Sequence, residues 1–140
     1  MVLPNTRFRV QKKWASIPRQ RMVKVGDYSG TQNPVQNWES DASSPATIVN
    51  HRLVVQGAAL AQVIAQVEIK SYTGNGRTVQ LHRNGVSLGQ FVVSANGVFV
   101  LGPFSVAVNE GDTINLVTTG TSFVGSGTIA GATTYVEVGP

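Results

Sequence analysis

The sequence predicts a single all-β domain, an antiparallel β-sandwich, and three observations carry that expectation. Charged residues make up only 13% of the chain while Gly numbers 15, a composition that suits strands joined by tight turns better than solvent-facing helices rich in Glu and Lys. Apolar and polar residues alternate over 60–70, the period of a half-buried strand. Asn-Gly pairs at 84–85 and 96–97 supply the positive φ angles that tight hairpins require.

Taken in order, residues 1–24 mix apolar side chains with bases and are punctuated by Pro4 and Pro18, so no helical stripe forms and an extended arm is expected. The stretch 26–45 is polar and rich in turn formers; it is expected to be a linker or long loop, with Trp38 as an anchor on the body. From Ala46 the pattern changes to strands at regular intervals. The first is expected over 47–55. In 60–70, Val63, Ala65, Val67 and Ile69 share one face, and Gln62, Gln66, Glu68 and Lys70 the other, with Ile64 the exception.

Gly74-Asn75-Gly76 turns the chain into a strand over 78–83, and Asn84-Gly85 returns it over 86–93 as a two-residue hairpin. A long apolar segment over 98–108 is expected to bend or break at Gly102-Pro103. Asn109-Glu110-Gly111-Asp112 then leads into a strand over 113–118, and a Gly/Ser/Thr-rich loop over 121–131 delivers the last strand over 133–138. The division is therefore an arm and linker over 1–45 and a sandwich of seven or eight strands over 46–140.

Charge divides the chain in the same way. The first 24 residues hold Arg7, Arg9, Lys12, Lys13, Arg19, Arg21 and Lys24 and no acid, whereas from Val25 onward four bases face seven acids. Leu3, Phe8 and Trp14 are interleaved with those bases, so the candidate site is a partner-docking arm: Leu3, Arg7, Phe8, Arg9, Lys12, Lys13, Trp14, Arg19, Arg21 and Lys24. Ordering a bare arm costs about 1–2 kcal/mol per residue in backbone entropy, so it must dock on something. Grooves on protein suit its apolar residues better than nucleic acid does. Deleting residues 1–24 is expected to abolish docking and leave the body folded.

Other chemistries find no support. Cysteine is absent, which excludes disulfides, thiolate metal sites and a cysteine nucleophile. His51 and His82 each fall in an expected strand without a second ligand at chelating spacing. No nucleophile-elbow pattern surrounds any serine. Glu110 and Asp112 read as turn chemistry, Asp bonding local backbone, and too few oxygens gather there for calcium. Gly125-Ser126-Gly127-Thr128-Ile129-Ala130 matches a dinucleotide fingerprint in form, yet a strand follows where that fingerprint needs a helix. No catalytic, cofactor-binding or metal residue is therefore assigned. No apolar stretch is long enough for a signal peptide or a membrane span.

The body resembles compact jelly-rolls of the kind found in C1q- and TNF-like domains and in many phage virion proteins. The likeness rests on 81–86 (Leu-His-Arg-Asn-Gly-Val), on 106–116, where a strand enters a Gly-Asp turn, and on 134–138 (Thr-Tyr-Val-Glu-Val). With Leu3-Pro4-Asn5-Thr6-Arg7 and Pro18-Arg19-Gln20-Arg21 included, the whole is similar to minor tail or head decoration proteins of tailed bacteriophages, particularly those of actinobacteria. That resemblance implies a non-enzymatic virion subunit, a homo-oligomer, frequently a trimer, whose N-terminal segment fastens it to neighbouring virion proteins. A rival reading is a glycan-binding module presenting Tyr28, Trp38 or Tyr72; another is nucleic-acid binding through the arm.

Overall fold

The structure, a computed structural model, describes residues 16–30, 33–120 and 126–140. Every regular element among them is a strand. In chain order these are β1 (Gln20–Lys24), β2 (Trp38–Ser40), β3 (Thr47–Val49), β4 (Arg52–Val54), β5 (Ala59–Tyr72) and β6 (Thr78–Arg83). They continue as β7 (Val86–Val92), β8 (Gly97–Val108), β9 (Thr113–Thr119), β10 (Ser126–Ile129) and β11 (Tyr135–Gly139). No described helix is long and apolar enough to cross a membrane.

Two antiparallel sheets face each other. In the first, β8 lies along one side of β5, and β10 and β11 divide its other side end to end, since Ile69 pairs with both Gly97 and Ile129 while Val63 pairs with both Phe104 and Val138. Beyond β11 come β1 and then β2. The second sheet runs β3-β4-β9-β6-β7. Strand β5 is the spine: the expected alternation holds, and Ala61, Val63, Ala65, Val67 and Ile69 are all buried. Leu53, Leu81, Ile114 and Leu116 face them from the second sheet, fully buried. Each such side chain contributes about 1.5–3 kcal/mol by leaving water.

Several expectations hold in detail. Asn84 and Gly85 have φ of 51° and 81°, and Arg83 pairs with Val86 across them, the two-residue hairpin read from the sequence. The segment at Gly102-Pro103 bends without breaking: β8 passes through it, and a bulge sets two residues of β8 against one of β5 between the pairs Val63–Phe104 and Ala65–Leu101. Trp38 is an anchor, its indole Nε1 donating to the Val35 carbonyl at 2.6 Å.

Other expectations are corrected. The strand over 47–55 is a hairpin, because Asn50 and His51, with φ of 50° and 63°, turn β3 into β4; His51 is a turn residue. Part of the loop over 121–131 is strand β10, paired with the end of β5. Most consequential, the arm and linker do not stop where the sandwich begins. Strand β1 lies between β11 and β2, with Gln20, Met22 and Lys24 buried, so residues 20–24 and 38–40 belong to the first sheet. Deletion of 1–24 would remove an interior strand, contrary to the expected tolerance.

The polar segment after residue 30 is also built in. Thr118 donates its backbone N–H to Asn33 Oδ1 and accepts from Asn33 Nδ2, both at 2.8 Å, while Val35 N–H donates to the Leu116 carbonyl. Strand β4 pairs with β9 only at Ile114 and Thr113. Asn33 and Val35 therefore satisfy backbone groups farther along β9 that β4 does not reach.

Candidate functional site

The candidate site begins where the basic segment enters the sandwich. Ile17 is buried, and a Cβ on Gly57 would lie 2.8 Å from its Cγ2, so the chain enters against bare backbone. Three residues on, Gln20 faces inward and clasps Gln56: its Nε2 donates to the Gln56 carbonyl at 3.0 Å, and its Oε1 accepts the Gln56 N–H at 2.9 Å. These contacts fix Ile17 and Gln20 on the body.

Alternation along β1 then decides what each base can do. Arg21 points outward, directly opposite Glu137 on β11. Its Nη2 lies 2.6 Å from Glu137 Oε1, and its guanidinium stands 4.0 Å over the Tyr135 ring. Arg19 Nε reaches the other Glu137 oxygen at 3.3 Å. Both pairs are partly exposed, so each contributes about 0–1 kcal/mol, but together they occupy both arginines within the chain.

Lys24 points inward and is 1% exposed. Its ammonium donates to the carbonyls of Val25 and Gly26, each at 3.0 Å, and of Asn37 at 3.3 Å. The Tyr28 and Trp38 rings lie 5.7 Å and 6.0 Å away, at the outer range of a cation–π contact. Burial pushes this lysine below its ordinary 10.5, with nearby Asp27 opposing the shift. Lys24 is thus an internal tie holding the turn after β1 to the residue before β2, and it offers nothing to a partner.

Beside it lies an open depression of about 470 Å³, lined in part by Val23, Val25, Asp27, Glu39 and Ala132. Asp27 is engaged: Gly131 N–H donates to its Oδ1 at 3.0 Å and Lys70 Nζ lies 3.1 Å from Oδ2. Those two contacts, the Gly131 bond foremost, hold its carboxyl below the usual range.

Of the ten docking residues read from the sequence, Lys24 is therefore committed inside the sandwich, and Arg19 and Arg21 pair with Glu137 on its surface. Leu3, Arg7, Phe8, Arg9, Lys12, Lys13 and Trp14 lie outside the described residues. The aromatic residues of the glycan reading divide as well. Tyr28 is buried and paired through its backbone with Ile129, and Trp38 packs on the core, so neither forms an open platform; Tyr72 is half-buried.

The polar groups weighed for chemistry serve the fold. Asp112 Oδ2 accepts from the Asn109 N–H at 2.8 Å and from Arg83 Nε and Nη2 at 3.1 and 2.9 Å, and its Oδ1 accepts from Asn84 Nδ2 at 3.0 Å. Burial alone would raise its pKa, but these donors outweigh burial and hold it below the usual value. Glu110 accepts from Gly57 N–H at 3.3 Å instead of joining Asp112. His51 Nδ1 accepts from Asn37 N–H, and His82 pairs with Gln80. Among the described residues no cluster of His, Asp and Glu could hold a metal ion. Arg77 is buried, bonded to the carbonyls of Gly30 and Gly127.

Sequence reasoning missed the roles of Lys24 and Asn33. For Lys24 the available signal was parity, since it shares a strand face with Met22; for Asn33 no local pattern announces that an amide will stand in for a strand.

With that geometry in place, the fold class is a TNF/C1q-like jelly roll: two antiparallel sheets with the N-terminal strand inserted beside the C-terminal one. Among solved structures, the chain is similar to the Eiger TNF of S. frugiperda at 12% identity, with 89% of this chain and 92% of that one covered and a TM-score of 0.67. It is also similar to pika GITRL (21% identity, 85% and 93% covered, TM-score 0.50) and rabbit GITRL (20%, 85% and 91%, 0.51). At such identities the likeness is one of fold. No protein-family model and no curated protein sequence matches the chain.

Proposed function

We propose that this chain is a non-enzymatic structural subunit of a tailed-phage virion, a minor tail or head decoration protein, fastened to neighbouring virion proteins by its first fifteen residues and acting as a homo-oligomer. The observation that carries this reading is the pairing of Arg19 and Arg21 with Glu137 of the same chain and the burial of Lys24. With those three committed, the surplus of positive charge falls to Arg7, Arg9, Lys12 and Lys13, a short segment that also holds Leu3, Phe8 and Trp14. The chain that follows that segment is held to the sandwich by Ile17 and the Gln20–Gln56 clasp. The bases of the segment orient docking on an acidic virion surface, and its apolar side chains supply most of the affinity.

The test is incorporation into virions of the full-length chain with Arg7, Arg9, Lys12 and Lys13 reversed to Glu, beside a chain shortened by residues 1–15. Both variants are expected to melt like the parent and to be absent from purified particles. Incorporation at the parental level would overturn the reading. Retained incorporation of the shortened chain, together with loss of DNA retention that is steep in salt, would assign the arm to nucleic acid instead.

A further inference from the structure

The outer face of the second sheet carries a row of amides and an imidazole whose hydrogen-bonding capacity the fold does not exhaust. Asn115 stands on β9 between Ile114 and Leu116, both fully buried in the core, so its side chain points away from the core. It is nevertheless only 3% exposed. Its Nδ2 makes one long bond, 3.4 Å to the carbonyl of Leu116, and its Oδ1 has no partner among the described residues. No fully buried side-chain oxygen or nitrogen among them lacks a partner, so this Oδ1 reaches solvent. A nearly buried amide with an open acceptor calls for a donor from outside the chain. Directly across the β6–β9 ladder from Asn115 is His82, and Gln80 and Gln90 follow on the same face. Gln80 fixes the roles in this row: its Nε2 donates to Gln90 Oε1 at 2.8 Å, and its Oε1 lies 2.7 Å from His82 Nε2, which therefore carries the proton. Burial pushes the His82 pKa below its ordinary 6.5, so at neutral pH the ring is uncharged and its Nδ1, without a partner among the described residues, is a second open acceptor.

We infer that this row binds a neutral carbohydrate, two neighbouring hydroxyls of one sugar ring donating to Asn115 Oδ1 and His82 Nδ1 while a further hydroxyl of the same ring accepts from Gln90 Nε2. Residues directly opposite in an antiparallel pair lie about 4.5–5.5 Å apart, a span across which adjacent hydroxyls can each reach one acceptor. Hydroxyls both donate and accept, as this row requires, whereas a carboxylate or phosphate would meet two bare acceptors and be repelled. Val117, beside Gln80 on β9, and Val92, beside Thr78 on β7 and 60% exposed, give the C–H side of the ring apolar surface. The face is shallow, so one sugar binds weakly, and retention on a glycan-coated surface comes from several copies acting together.

The inference goes beyond the docking arm and is tested apart from it, on purified full chain with free sugar instead of in particles. The chain is titrated with the methyl α-glycosides of mannose, galactose and glucose, with N-acetylneuraminic acid as the acidic control, and followed by heteronuclear NMR of the side-chain amides and imidazoles. At least one of the three glycosides is expected to shift the signals of Asn115, Gln80, Gln90 and His82 saturably in the millimolar range. His82→Phe keeps a ring and removes both nitrogens, and Gln90→Ala truncates an exposed amide; each variant is expected to melt like the parent and to bind about tenfold more weakly. No saturable shift with any of the three glycosides, shifts that map to Tyr72 or to the depression beside Lys24 instead, binding of the acidic sugar alone, or an affinity unchanged in either variant would each overturn the inference.

Discussion

Lys24→Met removes an ammonium and keeps an unbranched stem of similar size at a buried position. Three carbonyls, those of Val25, Gly26 and Asn37, lose their donor. A hydrogen bond from a charged group is worth about 1.5–3 kcal/mol net, but the residues bearing these carbonyls are exposed, so water replaces part of the loss. Relief from burying a charge offsets a further part. The balance is a loss of about 2–4 kcal/mol. For a chain of 140 residues, with an unfolding entropy of about 2 cal/mol/K per residue, that is a fall in Tm of roughly 7–14 °C.

The pH dependence gives an independent check. The folded pKa of Lys24 lies below 10.5, so between the two values the unfolded chain binds more protons and stability rises with pH. What is lost as pH falls through the folded value is the relief from burying the charge, complete above 10.5; the bonds to the three carbonyls are made at neutral pH as well. Chemical denaturation of both proteins at neutral pH and at pH values approaching 10.5 is the assay. The gap between parent and Lys24→Met should widen on the alkaline side; an unchanged Tm with a flat gap would refute the assignment of Lys24 as an internal tie.

Three further outcomes follow from the same structure. Asp112→Ala strips the acceptor from Arg83, Asn84 and the Asn109 N–H and should cost about 2–4 kcal/mol in urea unfolding; because its folded pKa is depressed, the parent's advantage is present above 3.8 and should vanish as pH falls through the folded value. Gly89→Ala places a Cβ 2.6 Å from Phe104 Cζ and should destabilise by about 1–3 kcal/mol, read as a lower denaturation midpoint with unchanged slope. Removing residues 1–24 should leave an aggregating chain without a cooperative melt, whereas removal of 1–15 should leave the melt intact, since β1 sits between β11 and β2.

The core of the fold was legible because its signals are local. Alternation in β5 and the Asn84-Gly85 turn each depend on residues within one or two strands, and both stand where the sequence put them. The errors lie where a partner is distant in sequence. Strand β1 is only five residues long and is fixed by β11, more than a hundred positions away, so its bases read as part of a partner-docking arm until Glu137 is set opposite Arg21 and Tyr135 beneath its guanidinium. The Asn50-His51 turn was hidden by apolar neighbours on both sides that resemble one strand. For the candidate site, the sequence could locate the excess of positive charge but could not divide it: Lys24 and Lys13 look alike in one dimension, and only the inward parity of β1 separates them.

Amine-reactive cross-linking of assembled particles followed by mass spectrometry reads that division directly, because Lys12, Lys13, Lys24 and Lys70 are the lysines of the chain. Lys24, its ammonium buried among three carbonyls, should give no product. Lys12 and Lys13 should cross-link to acceptor lysines of a different virion protein. Products from Lys24, or products of Lys12 and Lys13 confined to this chain, would contradict a docking segment that ends before β1.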